Sequence, residues 1–172
     1  MPRSFSEPER EAIRSRLIEK AIESMERFGV RKSNVEWIAS GTGISKGAFY
    51  LFYSSKEELL FDAFVETQSR VRAELMAGLE RLRPDSSSPL QRKKSATNEI
   101  RFFLEFLFHC FEKYPVLTVL SRAEELAALM RGIDPKRQQS ESQSDDRFFQ
   151  KIFKDWENRN ILGRHKAARL AG

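Results

Sequence analysis

The sequence predicts an all-α protein, and three observations carry that reading. Apolar residues recur every three or four positions in almost every segment, the spacing of one helix face. No segment alternates apolar and polar residues as a half-buried strand does. Ser6 with Glu9, and Ser55 with Glu58, have the Ser-x-x-Glu spacing of capping boxes.

The elements follow in order. Ile13, Leu17, Ala21, Met25 and Phe28 line one face of a first helix, about six turns long, which Gly29 ends. A short second helix is expected from about Val35 to Ser40 and a third from Ser45 to Tyr53. Ser55 opens a long fourth helix with an apolar stripe of Leu60, Phe64, Val71, Leu75, Leu79 and Leu82. The run 84–89, with two prolines and three serines, is a loop. A fifth helix is expected from Leu90 to Lys113, where Pro115 interrupts it. One further helix carries Leu117, Leu120, Leu126 and Met130. The polar stretch 132–146 is expected to be mobile, and a last helix holds Phe148, Phe149, Ile152, Phe153 and Trp156.

Composition narrows the functional classes. The chain has 172 residues and a net charge of +5, a mild bias towards a polyanionic partner. Cys110 is its only cysteine, so an intrachain disulfide is excluded. The first residues are too polar and too acidic for a secretory signal, and no apolar run approaches a membrane span. A cytoplasmic protein is expected. His109 has no carboxylate or thiol at ligand spacing, and no nucleophile stands beside a base, so neither a metal, a cofactor nor an enzyme activity is expected.

Residues 34–53 have the logic of a helix-turn-helix. Ala39 is small where two helices would cross, and Gly43 can take the positive φ of the turn. Ile44 and Phe49 are apolar where the second helix packs on the first. The outward positions are Ser45, Lys46, Gly47, Ala48, Tyr50 and Phe52, and the N-terminal end of that helix would meet base edges in a major groove. The same spacing also serves an ordinary αα-hairpin with a glycine turn.

Beyond spacing, the residues themselves resemble the TetR (tetracycline-repressor-like) family. The resemblance rests on Ile38-Ala39, on Gly43-Ile44-Ser45-Lys46-Gly47, on Phe49-Tyr50 and on Ser55-Lys56-Glu57-Glu58-Leu59. It covers about the first third of the chain. It implies a three-helix DNA-binding domain over 6–56, joined by a long fourth helix to a helical ligand-binding and dimerisation body over 57–172. It also implies that Asn34 caps the second helix beside a phosphate, with Ser33 and Glu36 as a competing capping box. By the same resemblance Tyr50 and Lys56 meet backbone phosphates. Phe52 stands where the family often has tyrosine or histidine, so a thymine methyl or a sugar is its expected contact. Trp37 replaces a commonly polar residue and is expected to pack on the first helix.

The implied function is that of a bacterial repressor. A homodimer binds a palindromic operator in double-stranded DNA and is released by a small, mainly apolar ligand. A helical interaction protein, or a regulator with no small-molecule inducer, is the alternative. The helix over 95–114 is apolar on nearly every side and is expected at the centre of a bundle. Candidate ligand-binding residues are Phe64, Gln68, Phe103, Phe106, Cys110, Phe149 and Phe153, among which Gln68 interrupts an apolar stripe. The family's last two helices have no clear counterpart in the basic tail 161–172. Dimer contacts are therefore expected from Phe148, Phe149, Phe153 and Trp156, with Phe108 a further candidate.

Overall fold

The structure is a computed structural model that describes residues 5–83 and 88–161, with only the backbone of 89–93. Residues 84–87 of the expected loop and 162–172 of the basic tail lie outside the described residues, and Pro89 already belongs to a helix. Eight helices make up the described residues: α1 (Glu7–Lys32), α2 (Val35–Thr42), α3 (Lys46–Phe49), α4 (Lys56–Arg81), α5 (Pro89–Lys113), α6 (Pro115–Leu120), α7 (Ala123–Met130) and α8 (Pro135–Asn158). They divide into two compact units. The first is Met1–Ser69 with Cys110–Ile133, and the second is Arg70–His109 with Asp134–Gly172. The first unit thus takes in more chain than 6–56, adding part of α4 together with α6 and α7.

In the first unit, Leu17, Ala21 and Met25 of α1 are fully buried against Ile38 of α2, Phe49 of α3, and Leu59, Leu60 and Phe61 of α4. Val116 and Leu129 join this core from α6 and α7. At the start of α1, the Glu9 carboxylate accepts bonds from both the Ser6 N–H and its hydroxyl, each at 2.8 Å. The box that opens α4 is offset by one residue from its expected form. Ser55 Oγ accepts from Glu58 N at 3.1 Å, but the Glu58 carboxylate reaches past it to the N–H and hydroxyl of Ser54.

The break at Gly29 is sharper than a simple helix end. Its φ of 77° lies in the left-handed region, and the chain then makes one more turn to Lys32. This break exposes the backbone N–H groups of Val30 and Arg31, and the Glu125 carboxylate of α7 accepts from both, at 2.6 and 3.2 Å. Two ångström-scale facts therefore require glycine at position 29. The φ is costly for any Cβ, and a Cβ would sit 3.0 Å from both Glu125 oxygens. Ser33 closes the turn from inside, donating to Gly29 O at 2.8 Å and accepting from Ser24 Oγ at 2.9 Å. The helix cap is left to Asn34.

Three expectations are corrected downstream. The single helix after Pro115 is two, because the chain breaks at Ser121 and Arg122, where Ser121 Oγ bonds back to Thr118 O at 2.9 Å. The stretch 132–146 is largely helical. Asp134 caps α8 by accepting from Lys136 N at 2.7 Å, Pro135 occupies the first helical position, and Arg72 pairs with Asp145. Nor is α5 enclosed on nearly all sides. Phe103, Phe106 and Cys110 are buried, but Leu104, Phe108 and Phe111 are 51%, 77% and 46% exposed.

The second unit is organised around a buried carboxylate. Glu99 of α5 is fully buried and accepts from Trp156 Nε1 at 3.1 Å. The Arg159 guanidinium grips it in a fork, at 2.9 Å and 2.6 Å. Asp155 holds the same guanidinium from its other side, at 2.9 Å from Nε. Those carboxylates, Glu99 first, push the arginine's pKa above its ordinary value. Removing Glu99 leaves Trp156 Nε1 without its acceptor and the guanidinium with Asp155 alone. Glu99→Ala is therefore expected to lower stability by about 1–3 kcal/mol in a denaturant titration. Adding Arg159→Ala to it should cost less than the separate losses sum to. A Glu99→Ala midpoint close to the parent's would remove Glu99 from the centre of this unit.

Candidate nucleic-acid interface

The helix-turn-helix is built by a short chain of backbone necessities. Asn34 Oδ1 accepts from the N–H groups of Glu36 at 2.8 Å and Trp37 at 3.1 Å, so α2 starts at Val35 and the competing serine cap is not used. At the other end of α2, Gly43 has φ 81° and ψ 24°. Its N–H bonds to Ser40 O and that of Ile44 to Ala39 O, the paired bonds of a Schellman turn. Ser45 then caps α3, accepting from Ala48 N at 3.1 Å. Phe49 is fully buried and fixes α3 to the core.

The third helix is shorter than expected. It ends at Phe49, and Tyr50 to Phe52 continue as turns bonded back to Ala48 and Phe49. Even so, Ser45, Lys46, Gly47 and Tyr50 are exposed and Ala48 is half-buried, all within one short segment. A Cβ at Gly47 would meet nothing closer than 3.9 Å, so the glycine is not demanded by packing within the chain. The two tyrosines divide by environment. Tyr50 is 51% exposed, whereas Tyr53 is buried, and burial together with Asp62 raises the Tyr53 hydroxyl far above its ordinary pKa. Phe52 is turned towards its own chain. Its ring lies tilted 5.7 Å from that of Phe5 and 5.1 Å beneath the Arg10 guanidinium. Trp37 packs edge-on against Phe28 of α1 at 5.4 Å, with Lys20 and Arg27 over its ring.

Lys56 begins α4 and is half-buried, with its ammonium 3.6 Å from Glu57. It lines an open cleft of about 450 Å³ with Val30, Arg31, Ser55, Glu57, Ala128, Arg131 and Gly132. Sequence spacing gives no hint of Arg131 or Glu125 here, because they lie 75 and 69 positions beyond Lys56. Arg10, whose guanidinium bonds Leu51 O at 3.3 Å, was equally hidden.

The residues expected to bind a ligand fall into separate groups. Phe103, Phe149 and Phe153 meet in the second unit with Trp156, the Phe103 ring lying 6.5, 6.0 and 5.4 Å from the other three. Phe106 stacks with Phe102 at 5.9 Å. In the first unit, Phe64 lies 6.1 Å from Phe61, the Gln68 side-chain oxygen is buried, and Cys110 is buried with its thiol pKa raised by desolvation. Of the residues expected at a dimer contact, Trp156 is buried within its own unit, while Phe149 and Phe153 are half-buried beside it. Among the described residues, no group of three His, Cys, Asp or Glu side chains is placed to hold a metal ion, and no helix is long and apolar enough to cross a membrane.

This interface and the fold both have counterparts among known proteins. Over 50 residues the chain is 44% identical to an uncharacterized HTH-type transcriptional regulator, YerO, from Bacillus subtilis (strain 168); the match covers 29% of this chain and only 17% of that protein. The solved structure of the fatty acid degradation regulator FadR from Bacillus halodurans superposes with a TM-score of 0.64 at 14% identity. That superposition covers 94% of this chain and 75% of the other, and at this identity it speaks for the fold alone. Residues 17–63 match the family described as bacterial regulatory proteins, tetR family. The part of the chain that matches the tetR family is thus this N-terminal helix-turn-helix segment.

Proposed function

We propose that this protein is a sequence-specific transcriptional repressor that binds a palindromic operator as a homodimer and is released by a small, mainly apolar ligand. The observation that carries the DNA-binding part is the exposed start of α3, held rigidly by Phe49 and the Gly43 turn. On this reading Ser45, Lys46, Gly47 and Ala48 approach base edges, and Asn34, Tyr50 and Lys56 hold phosphates. Phe52 contributes by shaping the end of α3. The domain division at 56/57 is then functional, separating the part that reads DNA from the part that controls it. Phe64, Gln68, Phe103, Phe106, Cys110, Phe149 and Phe153 remain the candidate ligand contacts.

One recognition helix touches only a few base pairs, so two copies must act together, with half-sites about 34–36 Å apart or a multiple of that. The exposed stripe of Leu104, Leu107 and Phe108 on α5 is the apolar face that supports pairing. Arg101 and Glu105 beside it supply charges of both signs, as a self-complementary contact needs.

A second reading is supported by the ring-on-ring packing of Phe103, Phe149, Phe153 and Trp156. A filled aromatic core suits a regulator, or a helical interaction protein, with no small-molecule inducer. A genomic footprint with and without candidate apolar ligands separates the two. Ligand-dependent loss of occupancy supports release, and occupancy indifferent to every ligand supports the second reading.

Tyr50→Phe should leave the unfolding midpoint unchanged and weaken operator binding by about 1 kcal/mol, the scale of one net hydrogen bond. Lys56→Ala should weaken binding equally on all sequences and flatten its salt dependence. A changed base preference at one position would reassign Lys56. Phe108→Glu should convert the dimer to monomer in sedimentation at micromolar concentration. An unchanged dimer would place the interface elsewhere.

A further inference from the structure

The cleft beside Lys56 holds more positive charge than one phosphate contact uses. Arg31 arrives from the last turn of α1, Lys56 from the first residue of α4, and Arg131 from the residue that ends α7. Gly132, at φ 89°, turns the chain there and keeps Arg131 beside Glu57 and Lys56. The two nearby carboxylates already have partners, Glu57 within the cleft and Glu125 on the backbone beside it. Glu57 stands 3.6 Å from Lys56, and Glu125 accepts from the backbone of Val30 and Arg31. The guanidinium groups of Arg31 and Arg131 are in no ion pair among the described residues, and both residues are exposed. Three cations from three helices thus converge on one open cleft of about 450 Å³ with a single carboxylate side chain, Glu57, in its lining.

We propose that Arg131, assisted by Arg31, takes a second backbone phosphate next to the one assigned to Lys56, so that the DNA footprint extends from the helix-turn-helix onto the end of α7. The inference rests on the DNA-binding reading above and adds a contact from outside the matched residues 17–63. Guanidinium suits this role, because its planar fork matches two phosphate oxygens at once and is weakly hydrated. A contact from the end of α7 also gives the control part of the chain a direct hold on DNA. Because phosphates carry no sequence information, Arg131 sets register and affinity, and base choice stays with α3.

The test titrates the full chain against a selected operator duplex between about 50 and 200 mM salt, the range over which phosphate contacts reveal themselves. Arg131→Ala should reduce the slope of log affinity against log salt by about 1.8, about 0.9 for each protomer of the dimer, with base preference and unfolding midpoint unchanged. Arg131→Lys should restore most of the slope. Trimming the duplex outside the half-sites should weaken the parent and leave Arg131→Ala unaffected. A slope equal to the parent's, with Lys56→Ala still flattening it, would overturn the inference and leave the DNA-binding reading standing. A parent chain that binds no duplex specifically would overturn both.

Discussion

The reversal at Gly29 is the constraint on which the DNA-reading end depends. Before it, α1 buries one face in the core; after it, the chain must turn into α2, from which α3 follows. A left-handed φ makes the corner, and the corner leaves two N–H groups bare. A bare buried N–H costs free energy comparable to a lost hydrogen bond, so the corner is stable only with an acceptor in place. Glu125 is that acceptor, brought from nearly a hundred residues away. Ser24 and Ser33 complete the inner side. The orientation of α2, and through the Gly43 turn of α3, is thus set by α7 as well as by local sequence.

This explains which features were legible. The helix-turn-helix was readable because its determinants are local. Asn34, Gly43 and Ser45 each solve a backbone problem within five residues, and each solution has few chemical alternatives. Phe49 and the stripe of Leu17, Ala21 and Met25 were readable from periodicity alone. Glu125 was not, because an acidic residue in the first turn of a short helix also suits the helix dipole and needs no distant partner. The same ambiguity hid α8. Its polar first half reads as unstructured by composition, and the Asp134-Pro135 start that makes it helical is a two-residue signal.

Glu99 was the most consequential omission. A glutamate in an apolar helix reads as part of the solvated stripe, because a carboxylate is almost never fully buried unless it is paired. Burial becomes affordable only because Arg159 and Trp156 donate to it, and those partners lie 60 and 57 positions away. Once Glu99 points inward, the helix has little freedom left. Phe103 and Phe106, four and seven residues on, must follow it to the same side.

The outward face of α5 follows from that choice. Leu104 stands one position after the buried Phe103, a rotation of about 100° around the helix, and Phe108 lies one turn beyond Leu104. A helix apolar on two adjacent faces has to bury both or present one, and inward Glu99 decides which is presented. Hydrophobicity alone would have enclosed the helix on all sides, as periodicity suggested. The buried ion cluster breaks that symmetry, and it does so with groups that burial alone disfavours. A phenylalanine 77% exposed on such a stripe is a poor choice for an isolated monomer in water. The carboxylate that organises the inside of the second unit is therefore also what leaves an apolar stripe in need of a partner.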